Sequence, residues 1–209
     1  APTPNVEVKY ITAPEVKNTS VGTRVDGCDA VVNYVAEADA FPLPSYSYTL
    51  TGATTATGEG TGSGSTFNKG VTTVTVTASN SAGTVAYSFE VAVADALAPV
   101  LTTPIAQTLC YNETYSIPVL EAKDNCGVAS VVYNISGATE RSGNGTDASG
   151  SFNAGLSVIT WTVTDADGNQ TIDNTNVTVN EPLLVSIPDV YAINQGVALA
   201  NTIYQGYGP

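Results

Sequence analysis

The chain has 209 residues, of which 43% are hydrophobic and 12% charged, and its formal net charge of −13 comes from 6 Lys and Arg against 19 Asp and Glu. Phosphate backbones bind clustered Lys and Arg, and a membrane helix needs about 20 consecutive apolar residues, so neither a nucleic-acid partner nor a membrane span is expected. The chain contains no His, which excludes a Ser-His-Asp triad and any His-ligated metal.

The first predicted elements are short strands. Pro2 and Pro4 precede an alternation of apolar and polar residues over 6–12, which is typical of an edge strand. After Gly27, the sequence CDAVVNYVAEAD predicts a further strand. The two prolines of AFPLP, residues 40–44, then predict a turn or a crossover.

A repeat with an offset of 85 residues organises the rest of the chain. The segment FNKGVTTVTVTASNSAG, residues 67–83, returns as FNAGLSVITWTVTDADG, residues 152–168. When residues 45–84 are laid on 130–169 without a gap, 14 of 40 pairs are identical. Duplication is the economical explanation, and it predicts two modules with the same strands.

Both copies of the repeated segment alternate apolar residues with Thr. This period of two predicts a half-buried strand that ends in a hairpin. Thr73, Thr75 and Thr77 are then expected on the outer face. Trp161 is expected in the core, at the position that Val76 occupies in the first copy.

The predicted fold class is all-β, with tandem immunoglobulin-like β-sandwich modules. Short strands, turn signals at regular intervals and the lack of a long helical period favour this class. We place a degenerate first module at 1–95, a second at 96–181 and the start of a truncated third at 182–209. The usual antibody pattern, in which a Cys pair brackets Trp, is missing.

Three cysteines are present. Cys110 and Cys126 lie in the second module at a spacing suited to a disulfide, and we predict that they form one. Such a disulfide indicates an oxidising compartment. At the same offset of 85 residues, Phe41 aligns with Cys126, so the first module offers Cys28 no partner. Cys28 is therefore predicted to be free.

No catalytic residue is predicted. A Cys nucleophile has no activating base, and Asp165 and Asp167 lie in a DADGN turn whose first-module counterparts are Asn80 and Ala82. An EF-hand is excluded, because Asn176 stands where the twelfth loop position requires a bidentate Glu.

Calcium between modules is the one cofactor expectation. Asp95 lies at the first junction, Glu181 occupies the matching place at the second, and carboxylates are the oxygen ligands that calcium takes. If calcium binds, we expect it at these junctions and not in the Asp165 turn. The alternative is that Asp95 only ends a strand, with Pro99 directing the linker.

Four segments resemble the hyalin-repeat family: GCDAVV at 27–32, VAVADALAPVL at 91–101, EAKDNCG at 121–127 and SGSFNAGLSVITWTVTDADGNQT at 149–171. INQGVALANTIYQGYGP, at 193–209, is similar to the segment that introduces further repeats in large Bacteroidota surface adhesins, including gliding-motility adhesins. The resemblance implies an immunoglobulin-like fold, secretion to the cell surface and no catalytic residues.

The predicted function is that of a non-catalytic repeat segment of a secreted cell-surface adhesin, acting as a stalk or filament in adhesion or gliding motility. Its expected partners are neighbouring modules of the same chain and a surface polysaccharide or protein ligand, whose binding residues we do not assign. One alternative is a carbohydrate-binding accessory module of a secreted enzyme. Another is a eukaryotic extracellular-matrix repeat protein. A sugar-binding module should expose coplanar aromatic rings on one sheet face, whereas a stalk should expose Thr there.

Overall fold

A computed structural model describes residues 7–111, 114–186 and 203–206, and this part of the chain contains strands and connecting segments but no helix. The chain divides into two compact units, unit 1 (Ala1–Leu97) and unit 2 (Ala98–Pro209). Glycine at positive φ recurs in the turns that join the strands.

Unit 1 is built from short outer strands and two long central ones. Its strands are β1 (Tyr10–Thr12), β2 (Thr19–Gly22), β3 (Asp29–Val32), β4 (Asp39–Phe41), β5 (Ser45–Gly52), β6 (Ala56–Glu59), β7 (Ser65–Asn68), β8 (Gly70–Asn80) and β9 (Gly83–Ala94). Five of them form one sheet in the order β2-β9-β8-β5-β6, while β1 pairs with β4 and β3 with β7. The edge pairing of β2 with β9 is parallel, and the other pairings are antiparallel.

Unit 2 repeats this plan. Its strands are β10 (Val100–Thr102), β11 (Gln107–Leu109), β12 (Glu121–Lys123), β13 (Val128–Gly137), β14 (Arg141–Asn144), β15 (Gly155–Asp165), β16 (Gln170–Val179), β17 (Leu183–Ser186) and β18 (Ile203–Gly206). The five-stranded sheet has the order β11-β16-β15-β13-β14, and β10 pairs with β12. A bridge between Tyr115 and Gly150 stands where unit 1 has the β3-β7 pair.

The predicted third module falls largely outside the described residues, because 187–202 and 207–209 are not described. Of the residues that are described there, β17 and β18 pair antiparallel. The equal strand order of the two five-stranded sheets confirms that the repeated segments have the same topology.

The core of unit 1 lies between its five-stranded sheet and the β3-β7 pair. Val74 and Val76 of β8 are fully buried, and Phe67 of β7 covers them from the second layer. Thr75, between the two valines, is partly exposed, so the alternation in the sequence corresponds to an inner and an outer face. A two-layer β-sandwich confirms the predicted immunoglobulin-like fold class.

The core of unit 2 is centred on Trp161, which is fully buried. Trp161 pairs with Tyr133 across β15 and β13, just as Val76 pairs with Tyr48 across β8 and β5. The prediction that Trp161 takes the core position of Val76 is therefore confirmed. The indole supplies volume that a Val cannot, and this is the main difference between the two cores.

The repeated Phe-Asn and Gly-Ala-Thr motifs form one hydrogen-bond network in unit 1. The backbone N–H of Asn68 donates to Thr54 Oγ1 at 2.8 Å, and Asn68 Nδ2 donates to the carbonyl oxygen of Ala53 at 3.2 Å. The backbone N–H of Thr54 in turn donates to Thr72 Oγ1 at 3.1 Å. These bonds satisfy backbone groups of an irregular segment beside the core.

Unit 2 repeats the network atom for atom. Asn153 donates to Thr139 Oγ1 through its backbone N–H and to the Ala138 carbonyl oxygen through Nδ2, both at 2.8 Å. The backbone N–H of Thr139 donates to Ser157 Oγ at 3.1 Å. The identities shared by the two copies therefore have a structural cause, since they join the start of the long strand to the preceding hairpin.

Two partly buried tyrosines pack against the core of unit 1. The Tyr34 ring packs edge-on against Phe89, with centroids 4.7 Å apart, and its hydroxyl donates to the Thr61 carbonyl oxygen at 3.0 Å. The Tyr87 hydroxyl donates to the Ala36 carbonyl oxygen. Burial, followed by smaller effects of neighbouring tyrosines, raises the pKa of both phenols to about 12.

We expect unit 1 to lose stability as the pH rises from about 10 to about 12. An unfolded tyrosine ionises near pH 10, whereas folded Tyr34 and Tyr87 hold their protons to about 12, so the stabilisation is complete below pH 10 and is lost through this window. Tyrosinate absorbance and circular dichroism, followed together against pH, measure this loss. Tyr87→Phe should make it smaller. Ionisation of every tyrosine near pH 10 without unfolding would contradict the expectation.

Candidate functional site

The surface of unit 2 has two shallow grooves beside β13 and β14. Hydroxyl and amide side chains such as Ser142, Asn144 and Thr160 line them together with backbone, and no carboxylate, Lys, Arg or Cys is among the lining residues. The phenol of Tyr133 is the titratable side chain among these lining residues, and Tyr133 packs partly buried against the core.

Around Thr75 and Thr160, the outer faces of the two five-stranded sheets carry short polar side chains. In unit 1, Thr75 of β8 lies between Thr49 of β5 and Ser88 of β9, and its hydroxyl contacts that of Ser88 at 2.9 Å. In unit 2, Thr160 lies between Asn134 and Asn174. Aromatic side chains of the same strands, such as Tyr48 and Tyr133, pack against the cores instead. At these positions the outer faces therefore present hydroxyl and amide groups, and these two aromatic rings do not stack on them.

Asp165 ends β15 and caps the DADGN turn, in which the sequence places it. Its Oδ1 accepts from the backbone N–H groups of Asp167 and Asn169, and its Oδ2 from Asn169 Nδ2, each at 2.8 Å. Burial raises the pKa of Asp165, but these hydrogen bonds outweigh burial and hold it below its usual range. The carboxylate is therefore ionised at neutral pH although only 3% of the residue is exposed.

A second carboxylate lies beside Asp165, and sequence reasoning missed it. Asp124 directly follows β12, and its nearest carboxylate oxygen is within 4.8 Å of one from Asp165. Its Oδ1 accepts from the Cys126 backbone N–H at 2.8 Å, whereas Oδ2 is buried and has no hydrogen-bond partner. The signal in the sequence was the change from Asn80 to Asp165 between the two copies, which adds a charge.

Unit 1 has a different residue, Asn80, at the position of Asp165. Asn80 ends β8, and its Nδ2 donates to the carbonyl oxygens of Tyr10 at 3.0 Å and Pro42 at 2.7 Å. Pro42 directly follows β4, just as Asp124 directly follows β12. Where unit 1 has an amide that donates to two oxygens, unit 2 therefore has two carboxylates.

The two carboxylates of the junction prediction occupy equivalent positions. Asp95 and Glu181 each lie two residues after a Val that pairs with the first residue of the long central strand, Val93 in unit 1 and Val179 in unit 2. Asp95 is 7% exposed, and its Oδ1 accepts from Thr23 Oγ1 at 2.9 Å and from the Leu97 backbone N–H at 3.1 Å. Glu181 is exposed.

The cysteine predictions were wrong. Cys110 is an exposed free thiol, whereas Cys126 is disulfide-bonded, and so is Cys28, which was predicted to be free. Cys110 follows β11, whose last residue is in register with Val179 of β16, and Val179 pairs with the first residue of β15. Cys126, by contrast, precedes Val128, which pairs with Asp165 at the far end of β15. Eleven residues of β15 at about 3.3 Å each separate these ends, and a disulfide tolerates a Cα separation of only about 7 Å.

The inference about Cys28 failed because the offset of 85 residues does not hold outside the long strands. Phe41 pairs with Tyr10 on β4 and β1, and Lys123 pairs with Val100 on β12 and β10. Phe41 therefore corresponds to Lys123 and not to Cys126. The sequence alignment carried the register of the central strands into a region where the two units differ in length.

We expect the native protein to react with one equivalent of a thiol reagent. Cys110 is exposed and free, whereas Cys28 and Cys126 are oxidised. Mass spectrometry of the labelled peptides should place the modification on Cys110, and Cys110→Ser should abolish it. Labelling of Cys28 or Cys126 before reduction would contradict the assignment.

No family model matches the chain, and no curated protein matches its sequence. Solved structures do match. Fibronectin(III)-like modules of CbhA from Clostridium thermocellum share 17% identity over 82% of this chain and 94% of that chain, with a TM-score of 0.35. The four N-terminal Ig domains of Dscam1 isoform 7.44 share 16% identity over 85% and 48%, with a TM-score of 0.44. Domains 3–5 of the Drosophila OTK extracellular region share 14% over 84% and 63%, with a TM-score of 0.40.

At these identities the likeness concerns the fold alone. The strand order and the two-layer cores define the class of the protein, which consists of immunoglobulin-like β-sandwich units in tandem along one chain. The part of the chain that the structure describes has no helix with the length and hydropathy of a membrane span.

Proposed function

We propose that this chain is a non-catalytic repeat segment of a secreted cell-surface adhesin, in which immunoglobulin-like modules act as a stalk or filament in adhesion or gliding motility. The outer sheet faces carry the proposal, because around Thr75 and Thr160 they present hydroxyl and amide side chains, and the grooves beside β13 and β14 are lined by no carboxylate, Lys, Arg or Cys. Such a surface keeps a module soluble without giving it a reaction to catalyse. Repetition then supplies length, since each module contacts only its neighbours.

Secretion and membership of the hyalin-repeat family belong to the same proposal. The disulfide-bonded state of Cys28 and Cys126 supports an oxidising compartment outside the cytosol. The resemblance of residues 121–127 and 149–171 to hyalin repeats supports the family, and that of 193–209 supports a Bacteroidota surface adhesin.

A replacement experiment on the parent protein tests the stalk. Residues 1–181 are exchanged for an unrelated pair of β-sandwich modules of equal length, or are deleted, and attachment of the cells to a surface is measured. A stalk predicts that the exchange preserves attachment and that the deletion weakens it. Loss of attachment after the exchange, with normal surface display shown by protease accessibility, would refute the stalk and indicate a binding role.

Calcium at the junctions is proposed as part of this stalk, with Asp95 and Glu181 as carboxylate ligands. The equivalent positions of the two residues and the burial of Asp95 support it. Small-angle scattering with calcium and with chelator tests the idea, and Asp95→Asn should reproduce the effect of the chelator. An unchanged maximum particle dimension in both conditions would remove the junction ion.

A carbohydrate-binding accessory module is the second candidate, and one observation favours it. Tyr10 and Phe41 face each other across β1 and β4, are 43% and 44% exposed, and the Tyr10 hydroxyl donates to Asp39 Oδ1 at 3.2 Å. Aromatic rings can stack on a sugar, and a carboxylate beside them can accept hydrogen bonds from the sugar hydroxyls. Binding to insoluble polysaccharides that is lost in Tyr10→Ala and Phe41→Ala would support this candidate over the stalk.

A further inference from the structure

Contrary to the expectation that calcium avoids the Asp165 turn, we propose that unit 2 binds a divalent cation, calcium by its chemistry, between the carboxylates of Asp124 and Asp165. The two residues come from different parts of the chain, one after β12 and one at the end of β15, and their nearest carboxylate oxygens are within 4.8 Å of each other. Two oxygens at this separation can share one cation, since calcium binds oxygen ligands at about 2.3 to 2.6 Å.

The buried oxygen of Asp124 indicates that a ligand is needed. Asp124 Oδ2 exposes less than 1 Å² and has no hydrogen-bond partner, and Asp165 is 3% exposed. A buried carboxylate oxygen without a donor is costly, and a second carboxylate nearby adds to the cost. Within the described residues, neither carboxylate forms a salt bridge with Lys or Arg. A cation between the two groups removes the repulsion and satisfies Oδ2.

Unit 1 provides the internal comparison. At the position of Asp165 it has Asn80, whose Nδ2 hydrogens bind the carbonyl oxygens of Tyr10 and Pro42. The amide group thus supplies partial positive charge at a place where two backbone oxygens converge. In unit 2 the amide is replaced by a carboxylate and Pro42 by Asp124, so the positive partner is lost and two negative charges are gained.

The donor atoms select the kind of ion. Asp124 and Asp165 offer only oxygen, which suits calcium or magnesium and not zinc or copper, whose sites favour nitrogen and sulfur. Magnesium requires a near-ideal octahedron and gives up its water reluctantly, whereas calcium accepts irregular sets of carboxylates, carbonyls and waters. We therefore assign calcium, with water and backbone carbonyls as the further ligands.

Calorimetric titration of the whole chain with calcium chloride, after treatment with chelator, is the direct test. We expect calcium binding and a higher unfolding temperature of unit 2, because a ligand that binds only the folded state stabilises it. Asp124→Asn and Asp165→Asn should each weaken binding by at least about tenfold, since affinity follows the number of carboxylate ligands. Asp165→Asn recreates the residue that unit 1 uses at this position, so the variant is expected to fold.

Asp147→Asn is the matched control, because Asp147 is an exposed carboxylate of the same unit whose Oδ1 accepts from the Ser149 backbone N–H. It removes one negative charge and should leave calcium affinity unchanged. The proposal is overturned if millimolar calcium neither binds nor stabilises the protein. It is also overturned if the double variant of Asp124 and Asp165 binds as tightly as the parent. The first result would also remove the proposed junction ion, whereas the stalk itself is tested separately by the module replacement.

Discussion

Replacement of Trp161 by Ala is expected to lower the free energy of unfolding of unit 2 by about 3 to 5 kcal/mol. The ring is fully buried and packs edge-on against Tyr133, with centroids 5.6 Å apart. Its indole N–H donates to Thr175 Oγ1 at 3.0 Å, and the Thr175 hydroxyl donates to the Pro104 carbonyl oxygen at 3.1 Å. The substitution therefore creates a cavity and leaves a buried hydroxyl with one bond fewer.

Chemical denaturation followed by circular dichroism measures this loss, because Trp161 is the only Trp and the tryptophan fluorescence signal disappears with it. Ile172→Ala is the control. Ile172 lies on β16 of the same sheet but is 60% exposed, so its truncation should change stability by less than about 1 kcal/mol. Equal losses in the two variants would contradict the central role of Trp161 in the core.

Gly137→Ala is expected to destabilise unit 2 by about 3 kcal/mol. Gly137 has a φ of 98°, and a Cβ there would lie 2.5 Å from the carbonyl oxygen of Leu156. That oxygen accepts from the Ala138 backbone N–H at 2.8 Å, so the strand cannot move away without losing the bond. Strain of about 1 to 3 kcal/mol and a lost hydrogen bond of about 1 kcal/mol make up the expected effect.

Gly145→Ala separates the two causes. Gly145 has a φ of 95° but nothing within 4 Å of a Cβ, so it carries the left-handed strain without the collision. We expect a loss of about 1 kcal/mol there. Gly52 of unit 1 has the same collision, with the Val71 carbonyl oxygen at 2.5 Å, and Gly52→Ala should therefore match Gly137→Ala. A Gly137→Ala variant no less stable than Gly145→Ala would show that the strand relaxes.

The long central strands and the core could be predicted from the sequence alone. Alternation of apolar residues and Thr marks which side chains of β8 and β15 point inward, because successive residues of a strand face opposite sides. The repeat then required one topology for both units, and Trp161 takes the place of Val76 as the alignment indicated. These features depend on local backbone geometry, which neighbouring residues determine.

The cysteine state and the carboxylate pair were decided only by the tertiary structure. Cys110 and Cys126 are 16 residues apart in sequence, yet strand register places them at opposite ends of β15. Asp124 and Asp165 are 41 residues apart, yet their nearest carboxylate oxygens are within 4.8 Å. Spacing along a chain does not determine distance when long antiparallel strands lie between two residues, because the length and register of those strands decide which ends meet.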